Sequence, residues 1–385
     1  MRLKEAITNA NTGLDAIKRA PVLDYPTDLR CIRIQDISQA KPYEEWAYTE
    51  TSNDNYKKFK LAKGDILVAR TGATVGVSYY VNKDLEAVYN NGTIRLKINE
   101  ENDSRYIFYI TTTKEFRQYI DNVSCVATQP NLRIENLLRF QCPDKDLEEQ
   151  KAIASVLSAY DDLIEKNNRK IEILQDMAEE LYKEWFVRFR FPGYKTAKFT
   201  DGIPDVWEVK RCGDISMIKA GGDAPKEYSE KKTDKYKYPI FSNGISEDGL
   251  YGYTDKPSIK EESITISARG TVGYVCLRNE PYLPIVRLLV IVPNTEIVSN
   301  IFLYMYFKHN ATEGYGTSQQ QITVPYFKKK KILLPSQELV NRYTEYVEPF
   351  FMEIRKLKQL NSNLTIQRDL LLPRLMSGKH AVKVS

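Results

Sequence analysis

Along one stretch of the chain, mostly apolar residues recur at alternating spacings of four and three. In a helix they would form one stripe, which we call the seam. They are Ile153, Leu157, Tyr160, Ile164, Asn167, Ile171, Leu174, Ala178, Leu181 and Trp185. A mean period of 3.5 residues is typical of a coiled-coil helix. Asp146 with Glu149 predicts the helix start, and Pro192 with Gly193 predicts its end. The pattern therefore predicts a helix of roughly 45 residues, on the order of 65 Å long.

A second stretch repeats this design from about Ser336. Its seam positions are Val340, Tyr343, Val347, Phe350, Ile354, Leu357, Asn361, Leu364, Arg368, Leu371 and Leu375. Pro373 falls inside this stretch, so the last turn is expected to kink or to begin afresh. Neither helix can bury its stripe alone, so we expect the two to pack against each other. The alternative is a pair of core helices in one globular domain, but such helices usually run 8–20 residues.

The segment before each helix has a different pattern, rich in aromatic, β-branched and glycine residues. Residues 1–143 and about 195–334 therefore predict irregular α+β globules. Each contains an apolar strand followed by a glycine-rich turn, DILVARTGATVG at residues 65–76 and SITISARGTVG at residues 263–273. When the two turns are aligned on their shared Ala-Arg pair, the second turn (residues 268–273) is two residues shorter than the first (residues 69–76). A chain built twice from one unit favours a two-fold ligand, of which duplex DNA is the commonest that needs two spaced contacts.

Composition limits the possible functions without selecting one. The chain has 385 residues, 42% of them hydrophobic and 28% charged, which leaves room for two or three domains. Its 56 Lys+Arg exceed 51 Asp+Glu by only five, which permits nucleic-acid binding without requiring it. The five cysteines form no CxxC pair, so we expect a reducing cytoplasm. No cationic apolar leader opens the chain, and its most apolar run, residues 283–293, is interrupted by Arg287 and too short for a membrane span.

Catalytic signatures are weak throughout. Gly72 and Gly76 lack the spacing and the lysine of a phosphate-binding P-loop, and no GxGxxG motif occurs. The carboxylates that follow Pro143 and Pro204 are too close together to suggest a nuclease, and the first pair suits a helix start. Neither histidine lies near a plausible nucleophile in the sequence. The basic run at residues 328–331 is open to two interpretations, a solvated strand edge or a phosphate clamp.

Several motifs together resemble the specificity subunit of type I restriction-modification systems. They are CIRIQDI at 31–37, LAKGDILVARTGATVG at 61–76, TQPNL at 128–132, LEEQKAI at 147–153, GIPDVWEVK at 202–210 and RDLLLPRLMSG at 368–378. The match covers nearly the whole chain in the expected order, and is far more specific than any single motif.

The resemblance implies a non-catalytic protein of two pseudo-symmetric α+β target recognition domains, residues 1–144 and 195–334. Two long helices, residues 145–191 and 335–378, would separate them as an antiparallel coiled coil. The heptad count of the two stripes places Asn167 and Asn361 near the middle of their interface. Each domain would read one half of a bipartite, asymmetric double-stranded DNA target. Two modification subunits carrying S-adenosylmethionine would methylate adenine N6, and restriction subunits using ATP and magnesium would join them. No cofactor, metal or membrane is expected for this chain, which lacks the NPPY-like and FxGxG motifs of such methyltransferases.

Candidate DNA-binding residues follow from motif position and from side-chain chemistry. Arginine suits guanine, asparagine and glutamine suit adenine, and hydroxyls suit phosphates. The candidates are Arg70, Thr71, Thr74, Asn91, Gln129 and Asn131 in the first domain, and Ser242, Asn243, Arg269, Thr271, Gln319 and Gln320 in the second. The glycines and threonines of these motifs are equally compatible with a purely structural turn. A rival function is a symmetric coiled-coil adaptor that binds only proteins; a fused restriction-methylation enzyme would need a further module, for which no room is left.

One departure from the family pattern concerns the start of the chain. The WEV opening at residues 207–209 has no counterpart before Met1. The first domain is therefore expected to lack its first strand or to borrow an equivalent. Because pseudo-symmetric chains of this type are circularly arranged, the tail after Gly378 is a candidate to lie beside Met1 and complete the domain.

Overall fold

The structure, a computed structural model, describes residues 1–39, 41–124, 131–310 and 321–379. The chain forms two compact units. Unit 1 comprises Met1–Asn167 with Gln359–Ser385, and unit 2 comprises Asn168–Lys358. Each unit therefore contains one globule and about half of each long helix. No helix among the described residues is long and apolar enough to span a membrane.

Within its described residues, unit 1 combines seven short strands and five short helices with parts of both long helices. The strands are β1 Ile7–Thr12, β2 Arg30–Ile32, β3 Ala47–Tyr48, β4 Ile66–Ala69, β5 Ser78–Tyr80, β6 Ala87–Tyr89 and β7 Thr93–Ile98. The helices are α1 Ile34–Ser38, α2 Asn53–Phe59, α3 Ser104–Thr111, α4 Lys114–Ser124, α5 Ile134–Leu137 and the long α6 Leu147–Tyr182. Two 3-10 segments occupy Leu3–Ala6 and Tyr43–Glu45.

Two sheets organise the core of unit 1. An antiparallel sheet has the order β1-β7-β4-β5, and a smaller sheet has the order β3-β2-β6, with β6 parallel to β2. Successive side chains of a strand point to opposite faces of its sheet. Accordingly, Ile66 and Val68 join the core beneath α3 and α4, whereas Leu67 joins the core around the smaller sheet. The uninterrupted apolar run of β4 is thus explained by burial on both faces.

Unit 2 contains the remaining short elements, and the second long helix begins in it. The strands are β8 Phe199–Thr200, β9 Ile203–Pro204, β10 Glu208–Arg211, β11 Ser216–Ala220, β12 Tyr238–Phe241, β13 Leu250–Thr254, β14 Ser263–Ile266, β15 Val275–Arg278, β16 Leu283–Pro284, β17 Leu289–Pro293 and β18 Lys331–Leu334. The helices are α7 Cys212–Ile215, α8 Asn300–His309, α9 Val324–Lys329 and the long α10 Gln337–Met376. A 3-10 segment lies at Ser246–Gly249.

The two units share one topology, which confirms the predicted duplication. In unit 2 the larger sheet has the order β11-β17-β14-β15, and the smaller has β13-β12-β16 with β16 parallel to β12. These orders repeat those of unit 1 strand for strand. The α+β class predicted from the sequence is therefore correct in both halves.

The long helices pack antiparallel within each unit, as predicted. In unit 1, Asp161 bonds Arg368, and Asn167 Nδ2 donates to Asn361 Oδ1 over 2.7 Å. In unit 2, Lys170 bonds Glu353 over 2.7 Å. Residues later in α6 thus contact residues earlier in α10, which is the arrangement of antiparallel helices. Every predicted seam position is at least half-buried, and Asn167 keeps only 7% of its surface exposed.

The ends of the long helices differ in detail from the sequence-based expectation. A π-helical turn at Lys183–Val187 follows α6, so the helical segment stops before Pro192 and Gly193. The wider turn rotates the register, which allows the adjacent Trp185 and Phe186 both to enter the core. At the other end, α10 continues through Pro373 to Met376 without a break.

The opening of unit 1 is a reduced version of the opening of unit 2. In unit 2, β10 pairs with β18 over four residues. In unit 1, Arg2 forms a single bridge with Gln141, flanked by hydrogen bonds from Leu3 N to Phe140 O and from Cys142 N to Met1 O. Residues 380–385 lie outside the described residues. The preceding helix end, through Leu375 and Met376, packs in the same core as Leu3.

Changing the asparagine pair should lower stability. Asn167→Ala is expected to reduce the free energy of unfolding by about 1 kcal/mol, because it removes a hydrogen bond between largely buried amides. A double-mutant cycle with Asn361→Ala should show a coupling of about 0.5–1.5 kcal/mol in urea denaturation. Asn363→Ala, at an exposed position of α10, is the matched control. Additive effects of the two substitutions would contradict the pairing.

Candidate nucleic-acid interface

A tight turn follows the central strand β4 of unit 1. Ala69 N donates to Val77 O and Gly76 N donates to Ala69 O, both over 2.8 Å. Gly76 has a φ of +85°, and a Cβ there would approach Ile120 Cγ2 to 2.7 Å. Gly72 has a φ of +83° in open space. Because left-handed φ values favour glycine, the shape of this turn accounts for both glycines.

Three separate segments of unit 1 meet at this turn. Arg70 Nε donates to Asn131 Oδ1 over 3.1 Å, and Thr71 forms a β-bridge with Asn131. Arg70 N donates to Gly92 O over 2.8 Å, and its Nη1 lies 3.5 Å from Asn91 O. The structure thus brings together four predicted residues from positions far apart in the sequence. Asn131 holds the guanidinium at Nε, and Nη2 forms no hydrogen bond with the residues that the structure describes.

The other two predicted residues of unit 1 are placed differently. Thr74 lies in the turn, where its carbonyl accepts a hydrogen bond from Val77 N over 3.1 Å and its side chain is half-exposed. Gln129 lies outside the described residues.

A corresponding assembly forms at the turn after β14 in unit 2. Arg269 Nη2 donates to Gln321 Oε1 over 3.2 Å, and Ile322 N donates to Ala268 O over 3.1 Å. Arg269 and Thr271 are both exposed. Gln319 and Gln320 lie outside the described residues. Gln321 is the last residue of the same glutamine run. It was not among the predicted DNA-binding residues, although the run itself had pointed to this segment.

Asn243 and Ser242 have backbone partners within unit 2. Asn243 Oδ1 accepts from Ala268 N over 2.7 Å, and its Nδ2 donates to Val286 O over 2.6 Å. Ser242 N donates to Gly249 O over 2.8 Å. Because both ends of its carboxamide are engaged by backbone, Asn243 is well placed to hold two loops together.

The backbone hydrogen bonds of the two turns give an alignment that differs by one residue from the sequence alignment, in which Arg70 corresponds to Arg269. Ser267 N donates to Tyr274 O and Gly273 N donates to Ser267 O, which makes Ser267 the counterpart of Ala69. Arg269 is therefore the counterpart of Thr71, and by this alignment the second turn is shorter by one residue. An arginine–carboxamide pair nevertheless forms in both units.

Two other charged groups near the turn of unit 2, Arg278 and Asp248, are committed to structure. Buried Arg278 donates to Thr265 Oγ1 over 2.9 Å and to Asp248 O over 2.6 Å. Burial acts to raise the pKa of Asp248, but Lys358 and a hydrogen bond from Tyr274 outweigh it and hold that pKa below its usual value. The loop that carries Asn243 is therefore held by an ionised carboxylate.

Basic, amide and hydroxyl groups thus converge on one turn in each unit. No group of three or more histidine, cysteine or acidic side chains suited to a metal ion occurs within the part of the chain that the structure describes. Exposed arginine beside carboxamides offers the donors and acceptors that DNA base edges and phosphates require. The geometry defines a duplicated α+β protein with one polar turn in each unit.

Comparison with known proteins identifies the family. The model for the type I restriction modification DNA specificity domain matches residues 23–175 and 204–365, once in each half. The chain therefore belongs to the family of type I restriction-modification specificity subunits, as its motifs predicted. The type I restriction enzyme MjaIX specificity subunit of Methanocaldococcus jannaschii is 30% identical over 307 residues, which cover 73% of this chain and 70% of that protein.

A second relative agrees with this assignment, and a solved structure agrees with the fold. A putative type I specificity subunit of Mycoplasma pneumoniae, S.MpnORF507P, is 26% identical over 290 residues, 75% of each chain. The crystal structure of a type I restriction-modification S subunit from M. genitalium has a TM-score of 0.58 at 18% identity, covering 97% of this chain and 95% of that one. That structure shows the same fold.

Proposed function

We propose that each unit reads one half of a bipartite, asymmetric DNA target, and that the chain performs no catalysis itself. The target recognition domains are residues 1–144 and 195–334. The helical regions are residues 145–191 and 335–378, within which α6 and its π turn span residues 147–187 and α10 spans residues 337–376. The observation that carries this proposal is the duplicated turn, at which an arginine pairs with a carboxamide in each unit. Two readers on one chain suit two half-sequences separated by unread bases.

Within each domain the proposed contacts divide by chemistry. Arg70 and Arg269 carry the donors that match guanine O6 and N7. Asn131 and Gln321 orient these arginines, while Thr71, Thr74 and Thr271 are suited to phosphates. Asn91, Gln129, Gln319 and Gln320 complete the proposed interface. For Ser242 and Asn243, the backbone hydrogen bonds favour a supporting role in that interface.

The chemistry is assigned to partner subunits. Two modification subunits carrying S-adenosylmethionine dock on the long helices and methylate the DNA that this chain selects. Restriction subunits supply the ATP- and magnesium-dependent cleavage. Within this division, the specificity chain contributes sequence choice and geometry, and holds no cofactor.

Removing either arginine should weaken recognition. Arg70→Ala or Arg269→Ala, in the complex with the modification subunits, is expected to lower affinity for the target duplex by about 5- to 100-fold and to relax selectivity in one half-sequence only. Gel-shift titration against single-base variants of the target measures both effects. Arg19→Ala, at an exposed arginine paired locally with Asp15, is the matched control.

The same titration separates the rival function. A DNA-reading complex should lose affinity steeply as salt rises, because its cationic contacts release counterions from the duplex. Unaltered binding by both arginine variants, together with no salt-dependent binding of DNA by the wild-type complex, would favour a coiled-coil adaptor that binds only proteins.

A further inference from the structure

A strained two-residue turn joins β16 to β17 in unit 2. Val286 has a φ of +53° and Arg287 a φ of +61°. This left-handed region is sparsely populated by residues other than glycine, asparagine and aspartate, and it suits β-branched valine least. Matching backbone hydrogen bonds make Asn91 and Gly92 the counterparts in unit 1, and neither of them has a positive φ. The strain is therefore a property of this unit and is absent from the shared fold.

The turn is held in this conformation from several sides. Val286 N donates to Gly222 O over 2.8 Å, and Arg287 N donates to Gly221 O over 3.2 Å. Asn243 Nδ2 donates to Val286 O over 2.6 Å. A Cβ at Gly221 would meet the backbone carbon of Pro284 at 2.7 Å, so only glycine permits this close approach. Strain that surrounding contacts over-determine is characteristic of functional sites.

The strained turn presents an arginine beside the candidate interface. Arg287 is exposed, and its guanidinium makes no hydrogen bond or ion pair with the described residues. Its neighbour Val286 and the neighbour of Arg269, Ala268, bond the two ends of the same Asn243 carboxamide. Both arginines are therefore carried by backbone that one side chain locks together. Arg287 is also the charge that interrupts the most apolar run of the sequence.

We propose that Arg287 reads a guanine in the half-sequence recognised by unit 2. This inference rests on the proposed function and adds a residue to it. Bidentate contact with guanine O6 and N7 requires a guanidinium fork that has no competing partner, carried by backbone that is held in place. The turn fixes the backbone of Arg287, and its guanidinium has no hydrogen-bond or ion-pair partner among the described residues, so the fork is available to a base edge.

The test uses the complete complex with its modification subunits, after methylome sequencing has identified the target. Arg287→Ala is compared with the wild-type chain on the target duplex, on duplexes with one base pair changed in the second half-sequence, and on an unrelated duplex. We expect a 10- to 100-fold loss of affinity for the target and loss of preference at one G·C pair, with binding to the unrelated duplex unchanged. Arg287→Lys should not restore that preference, because an ammonium lacks the bidentate fork.

Two comparisons make the outcome decisive. Arg211→Ala, at another exposed arginine of unit 2, should leave binding unchanged, and equal thermal melting should show that the variants fold. A uniform loss on all duplexes, with a salt slope smaller by about one, would indicate a phosphate contact and overturn the inference. If Arg70→Ala and Arg269→Ala lowered affinity for the target but Arg287→Ala did not, the inference about Arg287 would be overturned and the proposed function would stand. Failure of the wild-type complex to select any sequence would overturn the proposed function itself.

Discussion

Exchange of residues 1–143 for the equivalent segment of another family member is expected to change one half of the methylated DNA sequence and to leave the other half unaltered. The physical reason is that each unit has its own sheets, its own core and its own arginine–carboxamide turn. The incoming domain must still pack on the retained helices, where Leu157 and Leu372 belong to the core of unit 1. Methylome sequencing of cells that carry the chimera provides the measurement.

The reciprocal exchange supplies the control for this prediction. Replacement of residues 195–334 should alter the other half-sequence and preserve the one read by unit 1. A chimera of the first kind that changes both halves, or only the half assigned to unit 2, would refute the assignment of one domain to one half-sequence.

A longer helix pair is expected to lengthen the unread spacer while both half-sequences persist. Because α6 and α10 pack as a pair, four residues are inserted in each, after Asn168 and after Lys358. The insertion adds about 6 Å, which corresponds to one or two base pairs of B-DNA. Four residues also turn a helix by about 40° beyond a full rotation, close to the rotation of the added base pairs. The methylated motif of the insertion variant reports the spacer directly.

An insertion in a loop is the control that separates an effect on the spacer from a general effect of adding residues. Four residues placed after Lys232, in an exposed loop of unit 2, should leave the spacer unchanged. If the paired helix insertion altered a half-sequence and left the spacer as it was, the helices would contribute to base readout and would not set the spacing.

Long-range periodicity made much of the architecture predictable. The seam positions follow a repeat of 3.5 residues, and burial of two such stripes against each other requires no knowledge of distant contacts. The asparagines of the two seams, Asn167 and Asn361, therefore met as expected. Duplication was equally visible, because an apolar strand precedes the turn in each half and ARTGATVG at residues 69–76 returns as ARGTVG at residues 268–273.

The candidate interface was only partly predictable, because its residues meet through the fold. Motif position selected Arg70 and Asn131, which proved to be bonded to each other. In contrast, the turns at residues 90–92 and 242–244 look alike in sequence but occupy different places in the two units. Which carboxamide faces solvent and which is taken up by backbone depends on hydrogen bonds between distant segments, as for Asn243.

The amino-acid pattern was thus sufficient for the helices, the duplication and the family, because periodicity and motif order are local properties of the chain. The one-residue offset between the turns, the role of Gln321 and the left-handed turn at Val286 and Arg287 depended on tertiary contacts. Strand pairing sets the register of β14 against β17, and close backbone approach at Gly221 fixes the conformation of the turn. The strand pairing and the close approach both depend on residues distant in sequence from the turns that they position. A pattern along the chain therefore could not reveal them.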